Sequence, residues 1–126
     1  MSVPVNLKYT KDHEWVSIDG DIATIGITHF AQKELGDIVY IEVETLDQTL
    51  HKDEVFGTVE AVKTVSDLFL PLSGEIIEFN GNLESDPECV NTDPYGAGWM
   101  IKLKISNSAE LETLLSSELY KELIGA

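Results

Sequence analysis

Arginine is absent from this chain. Its eight basic residues are all lysine and stand against 23 acids, leaving a formal net charge of −15 over 126 residues. Nucleic-acid binding needs a basic stripe and guanidinium forks, so the composition argues against it. An anionic membrane surface would repel the chain for the same reason. Partner proteins with basic patches fit better, with charge steering the encounter. Cysteine is nearly absent as well. Cys89 stands alone, which excludes an internal disulfide framework and a cysteine zinc site, and a free thiol in a reducing compartment is expected. No apolar run approaches the ~20 residues of a membrane-spanning helix. The opening "MSVPVNLKYT" shows neither the order of a secretory signal nor an arginine-rich transit helix, so a cytoplasmic protein is expected. Signatures of catalysis are missing too: no G-x-S-x-G, no phosphate-cradling glycine loop, no H-E-x-x-H. His13, His29 and His51 lack metal-ligand spacing. Asp86, Glu88 and Asp93 do not fit a calcium loop. A hydrolase is poorly supported, and no metal site is expected.

What is present is strand after strand. Hydrophobic content of 43% supports a core, and the length suits one domain, residues 1–126. "HEWVSIDGDIATIGI" predicts a hairpin around Asp19-Gly20. In "THFAQKELG", Thr28 caps a helix, Phe30, Ala31 and Leu35 share a face, and Gly36 stops it. "DIVYIEVE" predicts a strand with Ile38 and Tyr40 in alternation, and "GEIIEFN" another. "GNLESDPECVNTDPYGAG" is a long, turn-rich connection. "WMIKLKI" sets Trp99, Ile101, Leu103 and Ile105 on one face, which predicts a substantially buried Trp99 opening the strand. From residue 107 the character changes. Asn107 and Glu110 suggest a capping box, and two short amphipathic helices follow as a cover over a β-core of about residues 7–106. Gly57 and Gly74 suit a bend or a close backbone approach.

The stretch "VEAVKTVSDLFLPLSG" carries the one unusual residue. Lys63 is the sole basic side chain between Lys52 and Lys102, and it falls where two antiparallel strands meet. A lysine at a hairpin tip is often kept only for solubility. The alternative is an amine presented on a rigid platform for covalent modification by another enzyme, its four-carbon stem holding it clear of the surface.

The chain resembles the H proteins of the glycine cleavage system over about residues 7–124. The matching stretches are "LKYTKDHEWV", "ATIGITHFAQKELGDIVYIEV", "FGTVEAVKTVSDLFLPLSGEIIEFN", "VNTDPYGAGWMIKLKI" and "LYKELIGA". Ala61 stands where the family usually has serine, and "VETLDQTLHKDE" lacks the usual proline and glycine. The resemblance implies a mainly β fold, a lipoyl-type sandwich or flattened barrel with one internal helix and two short C-terminal helices. It implies lipoate joined as an amide to Lys63, on a carrier without turnover of its own. Its implied partners are a PLP-dependent glycine decarboxylase, an aminomethyltransferase using tetrahydrofolate, dihydrolipoyl dehydrogenase, and a lipoate ligase or lipoyl/octanoyl transferase. A monomer is expected. An H-like protein serving mainly as lipoyl donor to other complexes is the alternative within the family. Because the loaded arm ends in a cation, a groove with carboxylates is expected, and Glu14, Asp67 and Asp12 are the candidates. A biotin carrier is disfavoured because Val62 and Thr64, not methionines, flank Lys63. A lipoyl domain of a 2-oxo acid dehydrogenase would bring Ala/Pro-rich linkers, which are missing here. An unmodified interaction module is the reading from a different class.

Overall fold

The computed structural model describes residues 3–125. Short β-prone runs separated by turn residues pair in antiparallel fashion throughout and build two sheets. The larger has six strands: β1 (Lys8–Tyr9), β2 (Glu14–Asp19), β3 (Ile22–Ile27), β9 (Ile101–Ile105), β8 (Gly74–Phe79) and β5 (Thr49–Leu50), in that spatial order. The smaller has β4 (Ile38–Glu42), β6 (Val55–Ala61) and β7 (Val65–Phe69). Alternating side chains from both sheets meet between them. Val16, Ile25 and Leu103 come from the larger sheet, and Ile41, Phe56, Val59 and Leu68 from the smaller.

Several local expectations hold. Gly20, with φ 63°, sits between the paired ends Asp19 and Ile22 of the first hairpin. Helix α1 (His29–Leu35) begins where Thr28 accepts a hydrogen bond from the Ala31 N–H, and it stops at Gly36, φ 80°. At Gly57 a β-carbon would lie 2.5 Å from the Glu42 carbonyl oxygen, and at Gly74 it would collide with the Lys104 carbonyl oxygen. Both glycines are places of close backbone approach. Gly74→Ala must therefore push β8 from β9 and should cost about 1–3 kcal/mol. Urea unfolding measures this, and an unchanged midpoint would contradict the packing.

Other expectations are corrected. A bulge between Ile38 and Tyr40 shifts the pairing of β4, so Ile38 and Ile41 are buried while Tyr40 is exposed. One inserted residue reverses the phase of the pleat. The turn-rich connection folds into two one-turn helices, α2 (Asn82–Ser85) and α3 (Cys89–Thr92), which bury Leu83, Cys89 and Val90. Trp99 does not open a strand. Its N–H closes a tight loop onto the Gly96 carbonyl, and its ring is only half-buried, with Lys102 Nζ 5.3 Å from the ring centre. Trp15 is the buried indole, laid over Gly26 and bonded through Nε1 to the Pro94 carbonyl. The first C-terminal helix is a 3₁₀ helix (Ser108–Thr113). Asn107 caps it, but Glu110 does not close the capping box. Its carboxylate accepts instead from Ser73 N–H and hydroxyl, at 2.7 and 2.9 Å. The last helix, α4 (Ser117–Ile124), packs Tyr120 on the outer face of the larger sheet with Tyr9, Trp15 and Leu7.

Candidate functional site

The strands β6 and β7 pair as far as Glu60 and Val65, and the chain reverses through Val62, Lys63 and Thr64. Ala61 N–H donates to the Thr64 carbonyl at 2.7 Å, closing the turn. A second bond braces it from outside: Val62 N–H donates to the Asp37 carbonyl at 3.0 Å. The tip is thus tied to the segment that follows α1. Lys63 is exposed. Its stem passes Gly36, where a β-carbon would lie 3.4 Å from Lys63 Cε. The stem of the lysine thus lies along the glycine that stops α1.

Below the tip lies a small cleft of about 190 Å³. Its apolar lining comes from Ile27, Ala31, Leu35, Val59 and Leu68. Its polar lining includes all three candidate carboxyls, Asp12, Glu14 and Asp67, which the turn after β1, the start of β2 and strand β7 bring together. Ser66 and Val59 are paired on β7 and β6, three and four residues from Lys63. At about 3.3 Å per residue this places the cleft roughly 10 Å down the hairpin. The cleft is smaller than a drug-sized pocket, and it suits a short aliphatic chain with a polar end.

The three acids differ. Asp12 and Asp67 are exposed, whereas Glu14 is only 2% exposed. It lies between the sheets, with Oε2 accepting from the Phe69 N–H at 3.0 Å and Oε1 accepting from the Thr10 hydroxyl at 3.0 Å. Burial pushes its carboxyl up to about 8, against the pull of those two bonds. Burial thus favours the protonated form of Glu14, where the sequence suggested only a carboxylate. Burial outweighs hydrogen bonding because few water molecules reach the group.

Sequence reasoning missed two further ionisable lining residues, Glu34 and His13. Glu34 lies one turn from Ala31 on α1, so projecting the helix onto the cleft would have found it. His13 stands in the left-handed region at φ 67°, and its ring packs on Phe30 with centroids 4.6 Å apart. Burial lowers its pKa, while Asp12 and Glu34 pull the other way. Among the described residues no group of three or more His, Cys, Asp or Glu side chains could hold a metal ion.

A family model described as Glycine cleavage H-protein matches residues 7–126. The chain is 54% identical over 126 residues to a Glycine cleavage system H protein of Bacteroides fragilis, covering the whole of both chains. It is 55% identical over 125 residues to a protein of the same description from Bacteroides thetaiotaomicron, covering 99% of each. The crystal structure of a glycine cleavage system H protein from Mycobacterium marinum matches with a TM-score of 0.89 at 38% identity, covering 98% of this chain and 100% of that one.

Proposed function

Because the chain belongs to the glycine cleavage H-protein family, the lipoyl-carrying shuttle of the glycine cleavage system, we propose that it carries lipoate as an amide on Lys63. The observation behind this reading is an exposed lysine on a doubly braced hairpin tip, above a cleft with apolar walls and an acidic rim. When attached, lipoate supplies a disulfide that takes up an aminomethyl group as it is reduced and is later reoxidised. The chain supplies presentation and shelter. The brace from Asp37 to Val62 fixes the hairpin tip that carries the amine. Val62 and Val65 on either side of Lys63, and Val39 on the neighbouring strand, are exposed and give a partner enzyme apolar surface to hold. Asp12, Glu34 and Asp67 at the rim attract a cationic end, and Glu14 can meet that cation by releasing its own proton to solvent.

The proposed partners within the system are a PLP-dependent decarboxylase that releases CO₂ from glycine, an aminomethyltransferase that passes the carbon to tetrahydrofolate and frees ammonia, and dihydrolipoyl dehydrogenase. A lipoate ligase or lipoyl/octanoyl transferase would modify Lys63. In this reading the protein is a monomeric, non-catalytic carrier in the cytoplasm. None of the helices among the described residues is long and apolar enough to cross a membrane. The test combines intact mass with reconstitution. After expression with lipoate, one lipoyl group per chain is expected, and the modified chain should support exchange of labelled bicarbonate into glycine by the decarboxylase while the unmodified chain does not. Exchange that ignores modification would refute the proposal.

A further inference from the structure

The two walls of the cleft come from separate parts of the chain. One is the turn carrying Asp12, His13 and Glu14; the other is α1, with Ala31, Glu34 and Leu35. A single atom from a third element touches both. The Tyr120 hydroxyl on α4 lies 2.9 Å from His13 Nδ1 and 2.7 Å from Thr28 Oγ1. Thr28 is the cap of α1 and already accepts the Ala31 N–H at 3.2 Å. Its backbone N–H donates to the His13 carbonyl at 3.0 Å. We propose that the Tyr120 hydroxyl is the clasp of the cleft, holding the His13 turn against the start of α1, so that the C-terminal helix positions the walls that receive the arm.

The proposal rests on the reading of this cleft as the arm's docking place and adds who sets its width. Donor and acceptor balance gives the clasp a direction. The buried Thr28 hydroxyl already accepts from the Ala31 N–H, so its own proton has the Tyr120 oxygen as its acceptor; Tyr120 then donates to His13 Nδ1, which accepts in the tautomer that carries the proton on Nε2. Thr28 and Tyr120 are both fully buried, so water does not compete for these bonds. His13 holds a left-handed backbone that a side chain other than glycine adopts only when its surroundings enforce it. Two anchors enforce it here, the Thr28 N–H on its carbonyl and the Tyr120 hydroxyl on its ring. The Tyr120 ring itself needs no hydroxyl to stay in place. It stacks on Tyr9 with centroids 4.7 Å apart and planes 10° apart.

Tyr120→Phe therefore removes the clasp and keeps the stack. In the unmodified variant, the His13 ring loses the donor that favours its neutral form, and its titration followed by NMR should move up. Asp12, Glu14, Glu34 and Asp67 around the same cleft are unchanged in this variant. Exchange of the Gln32 and Gly36 amides in α1 should quicken about three- to tenfold, the effect of one buried hydrogen bond, while amides of β8 and β9 keep their rates. In the lipoylated protein carrying the aminomethyl group, hydrolysis to thiol, formaldehyde and ammonia should quicken to a similar degree. In a chain that already carries His13→Asn, Tyr120→Phe should bring much less further change than it does alone, because its link to the His13 ring is already cut. An unmoved His13 titration, unchanged α1 exchange, or a full Tyr120→Phe effect in the His13→Asn background would each overturn the clasp. Glu14→Gln is the control on the underlying reading. If its loaded form is as long-lived as the wild type, the cleft is not the docking place and the clasp falls with it. If Glu14→Gln shortens that lifetime and Tyr120→Phe does not, only the clasp is wrong.

Discussion

Lys63→Arg is expected to leave the hairpin folded and to abolish lipoylation altogether. The guanidinium keeps the positive charge but cannot form the amide. The side chain is exposed, and the turn is held by backbone bonds that the substitution does not touch. Lys52 and Lys102, the nearest lysines on either side in sequence, are poor substitutes. Lys52 lies 3.5 Å from Asp53, and Lys102 sits on a sheet face over Trp99 beside Glu78. Neither stands on a braced tip. Intact mass should show no adduct in the variant, and exchange activity with the decarboxylase should fall to background. A peptide map of the wild type with the adduct on Lys52 or Lys102 would refute the assignment.

Glu14→Gln should act in opposite directions on holding the cargo and on stability. If the loaded arm docks as proposed, its cation meets a buried carboxyl. A hydrogen bond to a charged partner in such a place is worth about 1.5–3 kcal/mol. Its loss should speed decay of the loaded form by roughly ten- to a hundredfold. Asp67→Asn should do less, because Asp67 is exposed and screened by water. Docking in the wild type should also strengthen as pH rises towards about 8, since Glu14 must release its proton to pair with the cation. Decay of the loaded protein, followed from pH 6 to 9, measures both effects. If Glu14→Gln and Asp67→Asn decay like the wild type at every pH, the carboxyls give no shelter.

On stability the sign reverses. The folded pKa of Glu14, about 8, lies above the ordinary value of 4.5 for such a carboxyl. The favourable contribution of the protonated group is complete below about pH 4.5 and is lost as pH rises through 8. Over that window the wild type should fall relative to Glu14→Gln by up to about 1.4 kcal/mol per pH unit, a few kcal/mol in all. The neutral amide mimics the protonated acid and never ionises. Urea unfolding of both proteins at pH 5.5, 7 and 8.5 tests this, and parallel curves would mean that Glu14 titrates like an exposed acid. Both outcomes together would make Glu14 a compromise between stability and activity of the kind expected at a working site.

The sequence alone determined what neighbouring residues decide. Thr28 and Gly36 bound α1 because a cap and a left-handed stop are properties of one turn of chain. Lys63 was legible at a hairpin tip because strand patterning on either side leaves the reversal nowhere else to fall. The close approaches at Gly57 and Gly74 follow from the missing β-carbon. Tertiary structure decided the rest. The Ile38–Tyr40 bulge depends on how β4 lies on β6, and a pattern of period two cannot announce its own interruption. Glu110 left its capping box for Ser73, 37 residues away. Glu14 meets the Phe69 N–H, 55 residues on, and the burial that raises its pKa rests on the approach of the second sheet. Tyr120 reaches His13 across 107 residues. Burial and charge state are set by what packs against a group from elsewhere in the chain, and only the folded arrangement of the two sheets, α1 and α4 brings those partners within hydrogen-bonding distance.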